Sequence, residues 1–188
     1  MDALDAILGR RTYPPVKLGE PGPDTAALEL LIRAAAAAPD HGLLRPFRLI
    51  LVEGEGRRQL GELFARALAE ERPETSQAEL EKQRTHPLRV PLVLLVVLCL
   101  RPRHPKIPEI EQIASAAAAT QNLLLAARAL GFEAKWATGF PTESPMVAAG
   151  LGLGPNERLL AILYIGTPRV PHEGPPRPRP WEICSRWP

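Results

Sequence analysis

An uncharged run from Val90 to Leu100 (VPLVLLVVLCL) constrains this chain more than any other feature. Apolar side chains at consecutive positions fall on both faces of a strand, so both faces need cover. The run is about half of the roughly 20 residues that cross a bilayer, and it contains Pro91. It reads as a buried strand at the centre of a sheet, not as a membrane span.

The rest of the composition agrees with a globular chain. With 188 residues and 45% hydrophobic content, one domain with its own core is the expectation. The 23 basic and 21 acidic residues are spread along the sequence and leave a net charge of +2. No stretch of one sign offers a track for phosphates, which argues against a nucleic-acid partner. Cys99 and Cys184 have neither metal-ligand spacing nor a disulfide framework. The opening residues MDALDAILGRR place acids before the apolar positions and bases after them, the reverse of a secretory signal, so a cytoplasmic location is expected.

Elements can be placed from periodicity and punctuation. Asp2 caps a first helix to Gly9, and a second runs from Asp24 to Ala38, where Pro39 stops it. Phe47 to Glu53 reads as a strand, Arg57 to Glu71 as a helix, and a polar segment, helical or loose, follows to Arg84. After the central strand comes a proline-spaced loop, then the longest helix, Glu109 to Leu130, rich in alanine. Phe132 to Ala137 is a short strand, Ser144 to Gly150 a short helix and Leu159 to Ile165 the last apolar strand. The tail from Pro168 to Pro188 carries seven prolines and two tryptophans, Trp181 and Trp187, that a lone chain packs poorly. Periodicity alone leaves α/β and α+β arrangements open.

Four short segments could carry chemistry. Gly54-Glu55-Gly56 stands where a dinucleotide fingerprint would begin, but the third glycine position is Gln59, so a tight strand-to-helix turn is the better reading. Arg10-Arg11-Thr12 sets two guanidinium forks beside a hydroxyl, a match for phosphate oxygens; arginines at a helix end also simply complement the dipole. Pro39-Asp40-His41 presents an imidazole from a turn after a helix stop, where a histidine is often merely exposed. Lys135-Trp136-Ala137-Thr138-Gly139 ends a strand in a turn whose backbone donors could meet a flat heterocycle; core packing of Trp136 is the plainer alternative.

Taken together and in order, these segments resemble the nitroreductase family in its short-chain branch. The resemblance runs through MDALDAILGRRT, RAAAAAPDHGLLRPFRLILVEGEGR, the long helix, KWATGFPTESPMV and LAILYIGTP. It implies an α+β fold, a mixed sheet flanked by helices, in an intertwined homodimer with FMN at the subunit interface. One domain would cover 1–188, its Pro-rich tail (168–188) packing on the partner subunit. FMN would be bound by Arg10, Arg11 and Thr12, by His41 reaching across the interface, and by Trp136, Ala137, Thr138 and Gly139. Ala126, Ala127, Arg128, Ala129, Leu130 and Gly131 would lie where NAD(P)H approaches. The implied activity is hydride transfer from NAD(P)H through the flavin to an electron-poor small-molecule acceptor, nitroaromatic or quinone-like, with ping-pong kinetics and no catalytic acid or base. A flavin- or nucleotide-binding module without turnover is the alternative. Two departures stand out: Ala37 replaces an arginine common in relatives, and Pro14-Pro15 replaces a further one, with Lys17 or Arg45 as candidate substitutes for the lost charge.

Overall fold

The computed structural model describes residues 1–187 and builds one sheet around the apolar run. Its strands are β1 (Leu18–Gly19), β2 (Phe47–Val52), β3 (Leu92–Cys99), β4 (Glu133–Ala137) and β5 (Glu157–Pro168). β5 is the hub: β3 pairs along one side of it, and β4 and then β1 along the other, while β2 pairs the far side of β3. Every ladder is antiparallel. An isolated parallel bridge, Thr12 to Ala134, is what makes the sheet mixed.

The central position of β3 follows from its side chains. Alternate residues point to opposite faces. Val93 and Leu95 enter a core with Leu60, Leu63 and Phe64, whereas Leu92, Leu94 and Val96 enter a second with Leu31, Leu123 and Ala127. Each core therefore receives half of one strand. Burying such a side chain is worth about 1.5–3 kcal/mol, and this strand contributes to both cores along its length.

The helices cover the two faces. They are α1 (Ala3–Gly9), α2 (Thr25–Ala36), α3 (Glu55–Glu71), α4 (Gln77–Thr85), α5 (Glu109–Ala129), α6 (Phe140–Glu143) and α7 (Pro145–Gly150). Asp2 and Asp5 form a reciprocal capping box on α1, and Asp24 and Ser144 cap α2 and α7, as their positions before apolar runs predict. Gly54, at φ 51°, turns the chain from β2 into α3, so the Gly-Glu-Gly segment is a turn as read. α2 and α5 pack against each other and the second core, and Asn122 Nδ2 donates to Ala34 O across their contact.

The segment after α3 takes the helical of its two readings and forms α4, tied to α3 by Arg84 bound to Glu62. β5 runs three residues past Ile165, because β1 offers it a partner there. The tail leaves β5 and lays residues 172–177 on its own chain's N-terminal segment, beyond which Trp181, Ile183 and Trp187 are 73%, 76% and 95% exposed. Pro188, the end of the expected tail, lies outside the described residues. Among the described residues, no helix is long and apolar enough to cross a membrane.

Candidate functional site

The parallel bridge at Thr12 joins two segments more than a hundred residues apart in sequence. Tyr13 N–H donates to Ala134 O at 3.1 Å, which lays residues 10–13 alongside the start of β4. Arg10 and Thr12 thus come beside the strand that ends in Trp136 and Ala137. Trp136 and Ala137 are half-buried and pack against opposite cores, while Thr138 and Gly139 stand exposed. Gly139 has φ 94° and open space where a side chain would be, a backbone surface left bare.

The C-terminal end of α5 completes this corner. Arg128, in its last turn, is ion-paired with Glu133 at the start of β4. Glu133 is almost fully buried, and burial pushes its carboxyl pKa up against the pull of Arg128, Arg10 and Arg11. Gly9 lets Arg128 reach it, because a side chain at position 9 would collide with the Arg128 guanidinium.

Arg10 is the focus of the charge. Its guanidinium is held below the usual arginine value by burial and by the neighbouring Arg177, Arg11 and Arg128, with Glu133 alone acting in its favour. Arg128 Nε is buried and has no hydrogen-bond partner. Arg10, Arg11 and Arg128 thus share one carboxylate, with Arg177 close to Arg10, an excess of positive charge that an anion with several acceptor oxygens would relieve. A cleft of ≈ 710 Å³ opens beside Arg11 and Arg128, lined also by Tyr13, His172, Glu173 and Gly174.

The expected site residues therefore fall into separate places. Arg10, Arg11 and Thr12 lie with Arg128, from the segment Ala126–Gly131, at the start of β4, while Trp136–Gly139 run on from there to the far end of that strand and the turn after it. His41 does not join them. It follows α2 in a short turn, 63% exposed, with Nδ1 2.5 Å from Glu111 Oε2 near the start of α5. From Glu111 to Arg128 the helix rises about 25 Å, so His41 lies at the opposite end of α5. Neither candidate substitute for the lost charge joins the cluster: Lys17 Nζ lies 3.1 Å from His172 Nδ1, and Arg45 is exposed in the turn after His41.

Two members of the corner went unread in the sequence. Arg177 Nη2 donates to Arg10 O at 2.5 Å, and Glu133 anchors the cluster from below. The signal for Glu133 was an acid opening a strand five residues after an arginine that closes a helix. For Arg177 it was the alternation of arginine and proline in the tail.

Comparison with known proteins identifies the family and the fold. The nitroreductase family model matches residues 10–167. Over 171 residues the chain is 34% identical to an Escherichia coli (strain K12) protein named "Putative NAD(P)H nitroreductase YdjA", covering 90% of each chain. A nitroreductase-like family protein from Bacillus cereus superposes with a TM-score of 0.84 at 25% identity, over 100% of this chain and 96% of that one. A Desulfovibrio desulfuricans protein solved in complex with FMN superposes with a TM-score of 0.74 at 22% identity, over 100% and 99%. The chain belongs to the nitroreductase family of oxidoreductases.

Proposed function

We propose that this chain is an FMN-dependent enzyme that passes hydride from NAD(P)H to an electron-poor small molecule of the nitroaromatic or quinone type. The observation that carries the reading is the arginine cluster: Arg10, Arg11 and Arg128 about the buried Glu133, with Arg177 close to Arg10, and a cleft opening beside Arg11 and Arg128. It fits the phosphate of a mononucleotide, and the protein from Desulfovibrio desulfuricans that shares the fold was solved with FMN.

In this reading Arg10 faces the phosphate, with Arg11 supporting it, and Thr12 offers a hydroxyl to the neighbouring polyol. The strand end Trp136, Ala137, Thr138 and Gly139 borders the ring, and Gly139 leaves the backbone open to a flat surface. FMN, when bound, supplies the redox centre. The protein orients it, excludes water from one face and keeps the other open. The end of α5, Ala126 to Gly131, borders that open face and receives NAD(P)H. Donor and acceptor share one place in turn, so ping-pong kinetics are expected. No side chain is required as acid or base.

The same reading requires two copies. A compact monomer of 20.5 kDa exposes roughly 8,900 Å², whereas this chain exposes 10988 Å². Part of the excess is apolar: Leu4, Ile7, Leu8, Leu30 and Ile32 on α1 and α2 are all exposed. A second copy covers these faces and brings its His41 to the arginine corner, and the tail beyond Arg177 packs across it to shelter Trp181 and Ile183. The 188 residues then act as one domain within a homodimer.

The test is the visible spectrum of the purified protein before and after anaerobic addition of NADPH or NADH. Flavin absorption that bleaches and returns on adding a quinone is the expected result. A colourless protein that also refuses added FMN would overturn the reading.

A further inference from the structure

The two adjacent arginines are used differently. Arg11 Nη1 donates to Leu8 O at 2.8 Å and Arg10 O at 3.0 Å, and its Nε donates to Glu173 O at 2.5 Å. Three of its five N–H donors are thereby committed to backbone carbonyls, one of them at the end of α1 and one in the tail. The tail is shaped to receive it. Gly174 has φ 70°, and a Cβ there would lie 2.9 Å from Arg11 Cδ, so the turn after Glu173 sits directly on the arginine stem. His172, just before, sets its ring edge on Tyr13, with centroids 5.3 Å apart.

We propose that Arg11 is a positioning residue, the latch that seats residues 172–177 so that Arg177 reaches the cluster, and that it is not itself a ligand of the phosphate-bearing group. This rests on the reading of the cluster given above. Pro175 and Pro176 stiffen the span between latch and Arg177. An extended proline-rich segment advances about 3.1 Å per residue, so seating Gly174 fixes Arg177 about 9 Å further on. Arg177 then donates to the backbone oxygen of Arg10 and adds its charge to the corner. The Arg10 side chain takes no part in holding the tail. The two arginines therefore have separable effects.

The experiment cuts the Glu173–Gly174 bond with a glutamate-specific protease in cofactor-free protein and follows the loss of residues 174–188 by mass spectrometry. Arg11→Ala and Gly174→Ala are each expected to be cut about ten-fold faster than the unmodified chain, since each frees a segment held by a hydrogen bond to a charged group. Arg10→Ala keeps the carbonyl that Arg177 uses and is expected to be cut at the unmodified rate. FMN titration supplies the second readout. Arg11→Ala and Arg177→Ala are expected to lose affinity equally, about ten-fold, with no further loss in the double variant, because both remove the same Arg177 contribution. Unchanged cleavage in both Arg11→Ala and Gly174→Ala, or additive losses of affinity, would overturn the latch. Failure of the unmodified chain to bind FMN would instead overturn the flavin reading and leave the cleavage result standing.

Discussion

The two ends of α5 carry ion pairs of opposite character. At the C-terminal end, Arg128 and Glu133 are 22% and 8% exposed and sit within a cluster of further arginines. At the N-terminal end, His41 and Glu111 are 63% and 44% exposed, next to a pocket lined by Pro39, Ala114, Ser115 and Ala118. Removing one partner from the first pair strands a buried charge, whereas removing one from the second returns the other to water. One end is therefore a finished, internally braced corner and the other an open surface. A site that needs both must be assembled from two chains.

The largest effect that tests this contrast is on stability. Arg128→Ala leaves the Glu133 carboxylate buried without its partner and is expected to cost about 3 kcal/mol in urea unfolding. A loss under about 1 kcal/mol would mean that the corner is not braced by the pair. Next is Arg10→Ala, expected to weaken FMN binding by about 1.5–3 kcal/mol in a fluorescence titration, the scale of a hydrogen bond to a charged group. Unchanged affinity would remove Arg10 from the site. His41→Ala is expected to change stability by no more than about 0.5 kcal/mol, as for an exposed pair, while weakening FMN binding by about 1 kcal/mol. Normal flavin affinity in that variant would sever the two ends and confine the site to one chain.

The smallest effect is a slope, measured away from both ends. His86 stacks on Tyr164 with ring centroids 4.6 Å apart, and burial, aided by Lys135 and Arg89, pushes its pKa down to about 4. The unfolded chain takes up this proton first, near pH 6.5. Stability conferred by neutral His86 is thus intact above that pH and lost as pH falls towards about 4. His86→Leu is expected to flatten that acid limb without altering the contrast between the pairs. An equally steep limb would assign it to other groups.

What the sequence conveyed depended on whether the cause was local. The central strand was legible because all its residues share one requirement, burial on both faces. Asp2 was legible as a cap because a cap is decided within four residues. β1 was not, since two residues in PPVKLGEPG carry no periodicity and become a strand only because β5 runs past them. The motif Arg10–Thr12 was recognisable, but its place beside the start of β4, through Thr12 and Ala134, is a property of the fold. Arg177 escaped for the same reason. A proline-rich tail names no destination, and only the carbonyls of Glu173 and Arg10 reveal one.

That placement owes little to backbone pairing. Residues 10–13 meet β4 through a single bridge, Thr12 to Ala134, with Tyr13 N–H bonded to Ala134 O, whereas β3 is laddered to β2 on one side and to β5 on the other. Side chains hold the segment instead: Tyr13 is 7% exposed within the core, and Arg11 donates to the carbonyls of Leu8, Arg10 and Glu173. The segment is thus pinned by what projects from it rather than by its own peptide links, so truncating Tyr13 or Arg11 should loosen it while leaving the sheet's amide protection unchanged.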